Sequence, residues 1–473
     1  MNLIQLVFKN ILSLTISKIF LRGIPALIAI LVIRYLGKEQ YGYYATAIAF
    51  TAIFSVFLEI GLGTGLVRMG SRDRNAIDWF YGNVLFLKAL LGAIAYLFML
   101  LIAFHLHYSP KTVHLIPILG LVVVITSFYR SFSSVMEVFQ RMEVIALFEI
   151  ASSAFPSLLV FIVIVLDLGL YAVGYAALIA ALLVLIIWFW FTSKLATPRI
   201  RIHKLVYVLR NSWMFGLGAI FYVVFYEVDS VMLSIIKNET QVAIYSAAYK
   251  LMGIALVLQE IISRVVNPLA FNYGLYDRNK LRKIHVMVTR YYACIGTPIA
   301  VLLFCFSTTI INFLFGGDFS ESVILLKLFS LVILIRYLSD FNGNILVYID
   351  KVNVGLTIFG STALLNVILN ILLIPPYGYI GAAIATLVCE TFLSVLRILS
   401  VFRLFMKINL QDIFARVLIP GSAMFLFLHF FRDDLTAYSA AIVAIALYVA
   451  LLFLFKFFTY TDKLLLQQIV HRI

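Results

Sequence analysis

The chain has 473 residues, of which 64% are apolar and only 12% are charged. Water-soluble domains are nearer half apolar and a quarter charged, so this composition excludes a soluble globular fold. The formal net charge is +14 at pH 7. In a soluble protein that excess would indicate nucleic acid, but membrane proteins concentrate Lys and Arg in their cytoplasmic loops, and no nucleic-acid partner is expected.

Apolar stretches long enough to cross a bilayer recur along the whole chain. A span of about 20 residues with a short loop accounts for the length with about 14 helices. In chain order, the predicted spans cover residues 11–33, 42–66, 81–104, 113–135, 147–165, 174–191, 213–233, 243–266, 285–306, 322–341, 353–372, 380–401, 414–431 and 437–457. The prediction is an all-α polytopic membrane protein, with about 12 or 13 spans if the amphipathic first or tenth segment is not fully inserted.

The charges of the loops predict the orientation of the spans. With the N-terminus inside, the cations of the outer loops are only Arg34, Lys38, Lys111, Lys237 and Arg432. The other loop cations, including those of 194–210 and 278–283, then lie inside. Cytoplasmic loops are rich in Lys and Arg, so both termini are predicted to be cytoplasmic. The longest hydrophilic links, about 192–212 and 267–284, are too short for an extramembrane catalytic domain, and no enzyme activity is expected.

A short sequence recurs after six spans. Residues 37–45 follow the first span and resemble residues 238–246 after the seventh, with Glu39 aligned to Glu239 and Tyr44 aligned to Tyr245. The turn that contains Gly174 is similarly related to the turn that contains Gly381. An even number of spans preserves orientation, so the two halves are predicted to be parallel repeats about an axis along the membrane normal.

The repeat predicts the domain organisation. An N-lobe covers residues 1–195 and a cytoplasmic linker covers 196–212. A C-lobe covers residues 213–403, and residues 404–473 hold the last two spans and a cytoplasmic tail. Two six-helix lobes of this kind are expected to leave a cleft between them.

Charges within the spans are the candidate functional residues, because each costs about 2.5–3.5 kcal/mol at the bilayer centre on insertion scales. Cations outnumber acids there, which suits a polyanionic substrate. Lys18 and Arg22 form the sharpest pair, since residues four apart share one helix face. The alternative is that they pair with acids on neighbouring helices. The predicted substrate-binding cations are Lys18, Arg22, Lys88, Lys250, Arg264 and Arg290.

The acids of the spans have two interpretations. Glu59, Asp229 and Glu390 are the candidate carriers of a coupling proton or Na⁺, and the alternative for each is a hydrogen bond between helices. Two further pairs, Glu260 with Arg264 and Arg336 with Asp340, are spaced to neutralise each other on one helix. The sequence contains no Walker A motif, no HExxH motif and no nucleophile elbow, so neither a cofactor nor a metal site is expected.

Several strings resemble a known family. Residues 34–42 (RYLGKEQYG) are similar to the signature that follows the first span of bacterial polysaccharide flippases. Residues 59–63 (EIGLG) are similar to the acidic–Leu–Gly–Leu–Gly box that closes their second span, with Glu59 where Asp is commoner. Further similarities lie at 226–233, 244–251, 315–319 and 376–383. The resemblance is collinear to about residue 400 and points to the O-antigen (Wzx-type) flippases of the MOP exporter superfamily.

The resemblance implies a V-shaped, two-lobed carrier that works by alternating access in the bacterial inner membrane. Its implied substrate is an undecaprenyl-pyrophosphate-linked oligosaccharide, used for O-antigen and lipopolysaccharide biosynthesis. Membrane lipids, H⁺ or Na⁺, a polysaccharide polymerase and a chain-length regulator are the implied partners. The alternatives are a multidrug or small-molecule antiporter of the same superfamily and a membrane enzyme such as a polymerase or ligase.

Overall fold

The computed structural model describes residues 3–406, 410–431 and 436–457. Side chains are described from Arg22 onward, except at 75, 211, 213–215, 217, 219, 275 and 407–414. Fifteen α-helices follow one another in this part of the chain, which contains no β-strand. They are α1 (Leu3–Glu59), α2 (Leu62–Arg72), α3 (Ile77–His105), α4 (Pro110–Val138), α5 (Met142–Val165), α6 (Leu170–Ser193), α7 (Leu205–Ile236), α8 (Glu239–Tyr276), α9 (Arg278–Cys305), α10 (Ser307–Phe315), α11 (Ser322–Tyr348), α12 (Val352–Tyr377), α13 (Tyr379–Leu404), α14 (Leu410–Phe431) and α15 (Ala437–Leu454).

Eleven helical segments of the described residues are long and apolar enough to cross a membrane. The first of them, Arg22–Arg72, contains a backbone break at Gly37 and therefore includes two predicted spans. Helix α7 has 32 residues, and α14 contains a shorter apolar stretch, Ala415–Phe431. The prediction of an all-α polytopic membrane protein is confirmed.

Two glycines determine where the first spans begin and end. Gly37 has φ 67° and ψ 176°, outside the helical region, so the first two predicted spans are parts of one interrupted helix. Gly61 has φ 68° and separates α1 from α2. Glycine adopts positive φ at little steric cost, which makes it the residue for both breaks. The second span therefore ends at Glu59, earlier than the predicted residue 66.

The predicted link 267–284 is helical almost throughout. Helix α8 extends to Tyr276 and α9 begins at Arg278, which leaves only Asp277 between them. The Asp277 carboxylate accepts a hydrogen bond of 3.1 Å from the Lys280 backbone N–H and so caps α9. The two helices are thus longer than their predicted spans.

The chain forms two compact units. Unit 1 contains Met1–Ala247, Leu314–Phe319 and Phe359–Ala385. Its core packs Phe132 and Phe148 against the indole of Trp188, with ring centroids 6.2 Å and 4.3 Å away. Aromatic rings bury large apolar areas, so this stack joins α4, α5 and α6.

Unit 2 contains Ala248–Phe313, Ser320–Ile358 and Thr386–Ile473. Part of its core is formed by α9, α14 and α15, where Met424 and Tyr448 are buried. The Tyr448 hydroxyl donates to the Cys294 carbonyl oxygen at 3.0 Å. Gly421 of α14 lies against the Thr297 side chain, where a Cβ atom would collide with it. The boundaries of the predicted lobes at 195, 213 and 403 stay a prediction.

Candidate functional site

Two of the predicted site residues meet in unit 1. The Lys88 ammonium of α3 lies 2.7 Å from a carboxylate oxygen of Glu59, the last residue of α1. Lys88 is fully buried, whereas the Glu59 side chain is 33% exposed. The ammonium also donates to the Ser127 carbonyl oxygen of α4. A buried charge is tolerated when it is paired and hydrogen-bonded, and both conditions hold for Lys88.

The glycines after Glu59 bring other elements close to this ion pair. A Cβ atom at Gly63 would lie 2.7 Å from the Arg130 side chain, and one at Gly216 would lie 2.8 Å from the Ile60 backbone. Arg130 itself pairs with Glu137 at 2.8 Å. Gly63 therefore permits the close approach of α4, and Gly216 that of α7, around the end of α1.

A second candidate, Asp229 of α7, lies at the centre of a buried polar cluster in unit 1. The Tyr245 hydroxyl donates to one carboxylate oxygen at 2.7 Å, and the Asn370 amide donates to the other at 2.5 Å. The Asn370 amide also donates to the side-chain amide oxygen of Asn366 at 3.2 Å, one turn away on α12. Asp229 is 2% exposed, and the other three residues are 1% exposed or less.

This cluster has the chemistry of a small cation site. Two of its buried atoms, the Asn370 amide oxygen and the Asn366 amide nitrogen, have no hydrogen-bond partner among the described residues. Oxygen atoms of carboxylate, amide and hydroxyl groups are the ligands that hard cations prefer. The Asp229 carboxylate with the neighbouring amide oxygens is therefore equipped to hold a proton or a monovalent cation.

The third acid, Glu390, belongs to a network of four charges in unit 2. Asp340 accepts from Arg336 at 3.0 Å and from Arg397 at 2.7 Å. Glu390 lies 3.6 Å from the Arg336 guanidinium, and its side chain is 2% exposed. Two cations and two carboxylates neutralise one another here, so the predicted Arg336–Asp340 pair is part of a larger structural network that joins α11 and α13.

The remaining predicted cations have different surroundings. Arg264 pairs with Glu260 at 2.7 Å on the surface of α8, with both side chains more than a third exposed. The Arg290 guanidinium donates to the Phe457 carbonyl oxygen and lies 4.9 Å from the centre of that ring. Arg22 and Lys250 are exposed. The side chain of Lys18 lies outside the described residues.

Four polar residues of these sites were not among the predicted ones. Asn366 and Asn370 are one turn apart in an apolar span, a spacing that the sequence shows plainly. Arg397 is a charge within a span, but its partner Asp340 lies on another helix, so the sequence alone does not place it in the network. Tyr245 lies in the repeated string, where its alignment with Tyr44 indicated an internal repeat and not a functional residue.

Turns at one end of unit 1 bring the two copies of the repeated string together. The Glu239 carboxylate accepts the Ser109 backbone N–H at 2.9 Å and the Thr112 hydroxyl at 3.3 Å. Gly42 of the first copy lies against the Glu239 backbone. The carboxylate is thus placed at the N-terminus of α4, where a helix dipole favours negative charge.

Comparison with protein families gives a match to one family model. The family is described as polysaccharide biosynthesis protein, and it matches residues 7–273. The chain is 25% identical to the probable flippase AglR of Haloferax volcanii over 79% of each protein. It is 22% identical to a membrane protein of Methanocaldococcus jannaschii over 77% of each.

Solved structures show the same fold. The lipid II flippase MurJ in its inward closed conformation superposes with a TM-score of 0.76 and 17% identity, covering 96% of this chain and 100% of that one. An inward-facing multidrug resistance MATE transporter of the MOP superfamily superposes with a TM-score of 0.66 and 14% identity, covering 81% and 97%. The resemblance to MOP-superfamily polysaccharide flippases is confirmed. The family model matches more than half of the chain, and the chain therefore belongs to the polysaccharide biosynthesis protein family.

Proposed function

We propose that the protein moves a lipid-linked oligosaccharide from the inner to the outer leaflet of a cytoplasmic membrane. The specific substrate proposed is undecaprenyl pyrophosphate that carries one repeat unit of O-antigen or a related surface polysaccharide. One observation carries the proposal: a polysaccharide biosynthesis family matches residues 7–273 of a chain whose fold is that of a lipid II flippase.

Such a substrate presents two physical obstacles. The pyrophosphate is anionic, and the sugar hydroxyls cannot enter hydrocarbon without losing their hydrogen bonds to water. A carrier must keep this headgroup hydrated and neutralised, while the polyprenyl tail stays in the lipid. Exposed cations of the spans can supply the neutralising charge, because Lys and Arg both bind phosphate strongly.

The predicted cations differ in how far solvent reaches them. Lys88 is fully buried against Glu59, and Arg264 pairs with Glu260 on the surface of α8. Arg22 and Lys250 are exposed within predicted spans, and we assign the headgroup contacts to these two residues first because an anionic headgroup can reach them. Lys18 shares the predicted face of Arg22 and belongs to the same proposal, and Arg290 stays a further candidate.

The energy source proposed is the membrane potential together with cation antiport. Moving one charge through 100 mV is worth about 2.3 kcal/mol, so two negative charges that leave a negative interior gain about 4.6 kcal/mol. The Asp229 cluster is the proposed coupling site, because a buried carboxylate there adjoins the unbonded Asn370 amide oxygen. Glu390 is the weaker candidate, since Arg336 lies beside it.

Location and partners follow from the same proposal. Both termini lie in the cytoplasm of a bacterial cell, and the protein hands its substrate to a polymerase and a chain-length regulator on the outer side. A multidrug or small-molecule antiporter is the second candidate, favoured by the superposition on a MATE transporter. The cationic excess of the spans argues against it, because an antiporter of cationic drugs needs an acidic cavity.

Deletion of the gene followed by lipid analysis separates the two candidates. The flippase proposal predicts that undecaprenyl-linked repeat units accumulate on the cytoplasmic leaflet and that surface polysaccharide is lost. Unchanged surface polysaccharide with new sensitivity to cationic drugs would establish the antiporter instead.

A further inference from the structure

The link between α6 and α7 is fixed to unit 1 by its backbone. The Asn83 side chain of α3 donates to the Arg201 carbonyl oxygen at 3.0 Å and accepts the Arg201 N–H at 2.7 Å. The Arg199 N–H donates to the Asp78 carbonyl oxygen at 3.0 Å, and the Asp78 carboxylate accepts from Thr197 at 3.1 Å and 3.2 Å. We call residues 197–210, which end in the first turns of α7, the strap.

The strap lies directly on the first turns of α3. A Cβ atom at Gly82 would lie 2.5 Å from the Arg199 backbone nitrogen and oxygen, so only glycine permits this approach. The backbone of Arg199 bonds inward to Asp78, and that of Arg201 bonds inward to Asn83. Val208 is buried in the core of unit 1 and Leu205 and Leu209 pack against that core, whereas the side chains of 199–202, Val206 and Arg210 are exposed.

Those side chains alternate between cations and large apolar groups. Arg199 is 70% exposed, and Arg201 and Arg210 are also exposed. In the described part of the chain neither Arg201 nor Arg210 forms an ion pair. Apolar side chains lie between these cations with most of their area uncovered, namely Ile200 (55%), Ile202 (73%) and Val206 (75%).

The neighbours of the strap in the fold indicate that it lies where spans leave the membrane. It connects the end of α6 to the start of α7 and rests on the start of α3, and both α3 and α6 are candidate spans. Trp190, which is 55% exposed, lies at the same end with Lys194 3.3 Å from its ring, and Lys204 lies 4.2 Å from the ring of the buried Trp79. Tryptophan is enriched where hydrocarbon meets water, and lysine stems extend from that level toward the headgroups.

We propose that the strap is a docking surface for anionic phospholipid headgroups of the leaflet it faces. Its guanidinium groups bind lipid phosphates, while Ile200, Ile202 and Val206 insert among the upper acyl carbons. Bulk phospholipid is the occupant, because the cations are spread along the strap with apolar side chains between them. A single pyrophosphate would need them to converge on one point.

The test uses the full-length protein in mild detergent, titrated with phosphatidylglycerol or phosphatidylcholine and analysed by native mass spectrometry. A variant with R199Q, R201Q, K204Q and R210Q removes the cations of the strap. Each basic residue near a membrane surface contributes about a five-fold gain in affinity at low salt, so the variant should bind phosphatidylglycerol at least ten-fold more weakly. Phosphatidylcholine binding should not change.

A matched control removes four cations from the α8–α9 turn, with R278Q, K280Q, R282Q and K283Q. It has the same net charge as the strap variant, but Leu281, the apolar residue between its cations, is buried and cannot insert into lipid, so its loss of affinity should be several-fold smaller than that of the strap variant. An equal loss in both variants would show that net charge alone is responsible and would overturn the proposal.

A second strap variant distinguishes the loss of charge from misfolding as the cause of weaker binding. Replacing Arg199, Arg201 and Arg210 with Lys keeps the charge and should retain binding within about three-fold, because a lipid surface responds to charge more than to bidentate geometry. Loss of binding in this variant would contradict the proposal. Undecaprenyl phosphate is added as a competitor, and displacement of phosphatidylglycerol at stoichiometric amounts would assign the surface to the substrate instead of bulk lipid.

Discussion

Gly42 and Glu239, one from each copy of the repeated string, are in backbone contact within unit 1. A Cβ atom at position 42 would lie 2.8 Å from the Glu239 carbonyl carbon and closer still to its oxygen. The Glu239 carboxylate meanwhile holds the Ser109 N–H at the start of α4. The contact thus joins the part of α1 that follows Gly37 to the starts of α4 and α8.

Gly42→Ala should destabilise the protein by about 1–3 kcal/mol, because an added methyl group has no space at this backbone contact. The matched control is Gly253→Ala, whose Cβ would meet open space and whose higher helix propensity should stabilise by about 0.5–1 kcal/mol. Thermal unfolding followed by a thiol-reactive dye measures both, since Cys305 and Cys389 are buried in the folded state. Equal melting temperatures for the two variants would contradict the contact.

The Lys88–Glu59 pair predicts an asymmetric response to mutation. Glu59→Ala leaves a buried ammonium with only the Ser127 carbonyl, and removing one partner of a buried pair costs about 3–5 kcal/mol. Lys88→Met should cost less, because Glu59 is partly exposed and an apolar side chain of similar length fits the buried site. The same thermal assay measures both variants.

The exposed pair of α8 is the control for this prediction. Glu260→Ala or Arg264→Ala should change stability by less than about 1 kcal/mol, since solvent screens surface ion pairs. If Glu59→Ala behaved like Glu260→Ala, the burial of Lys88 would be wrong.

These two pairs show which ion pairs within spans can be predicted from the sequence and which cannot. Glu260 and Arg264 were predicted to pair because four residues on one helix fix their proximity, and the structure confirms it. Glu59 and Lys88 were given separate roles, as a coupling acid and a substrate-binding cation. Their contact joins different helices, and only the packing of α1 against α3 and α4 reveals it.

The Asp229 cluster predicts that coupling can be separated from transport. Asp229→Asn removes the negative charge, so transport should lose its dependence on an H⁺ or Na⁺ gradient while still responding to voltage. Tyr245→Phe removes one hydrogen bond and should weaken the dependence only in part. Proteoliposomes with imposed gradients measure this, with the exposed Glu143→Gln as control. Unaltered ion dependence in Asp229→Asn would exclude the cluster as the coupling site.

Asn366 and Asn370 could have been found from the sequence, whereas their arrangement around Asp229 could not. Two amides one turn apart in an apolar span are costly unless they form hydrogen bonds, so their spacing alone indicates a polar contact within the protein. Asp229 of α7 accepts hydrogen bonds from Tyr245 of α8 and Asn370 of α12 only because these three helices pack together. Sequence periodicity contains no information on such packing.

The two hydrogen bonds between the Asn83 side chain and the Arg201 backbone predict a change in the protease sensitivity of the strap. Asn83→Ala removes two hydrogen bonds to the Arg201 backbone and should release the strap, at a cost of about 1–3 kcal/mol. Trypsin should then cleave after Arg199 and Arg201 several-fold faster than in the native protein. Asn272→Ala, at an exposed position of α8, should leave the rate unchanged. An unchanged cleavage rate in Asn83→Ala would show that these two hydrogen bonds do not hold the strap in place.

The number and type of elements were predictable because apolar length sets them, but the ends of the helices were not. Gly37 and Gly61 interrupt the first spans with positive φ values, and α8 and α9 extend past the predicted hydrocarbon limits up to Asp277. Hydropathy locates the membrane-embedded part of a helix. The extramembrane turns of that helix depend on caps and packing instead.

Flipping of a lipid-linked oligosaccharide by the purified protein tests the central claim most directly. Proteoliposomes loaded with a fluorescent undecaprenyl-pyrophosphate oligosaccharide would be assayed for substrate that reaches the opposite leaflet, using an impermeable quencher. The account predicts voltage-stimulated flipping by the native protein, loss of flipping in Arg22→Glu, and normal flipping in Lys351→Glu, a surface variant with the same charge change. Absence of flipping by folded native protein, or full activity of Arg22→Glu, would contradict it.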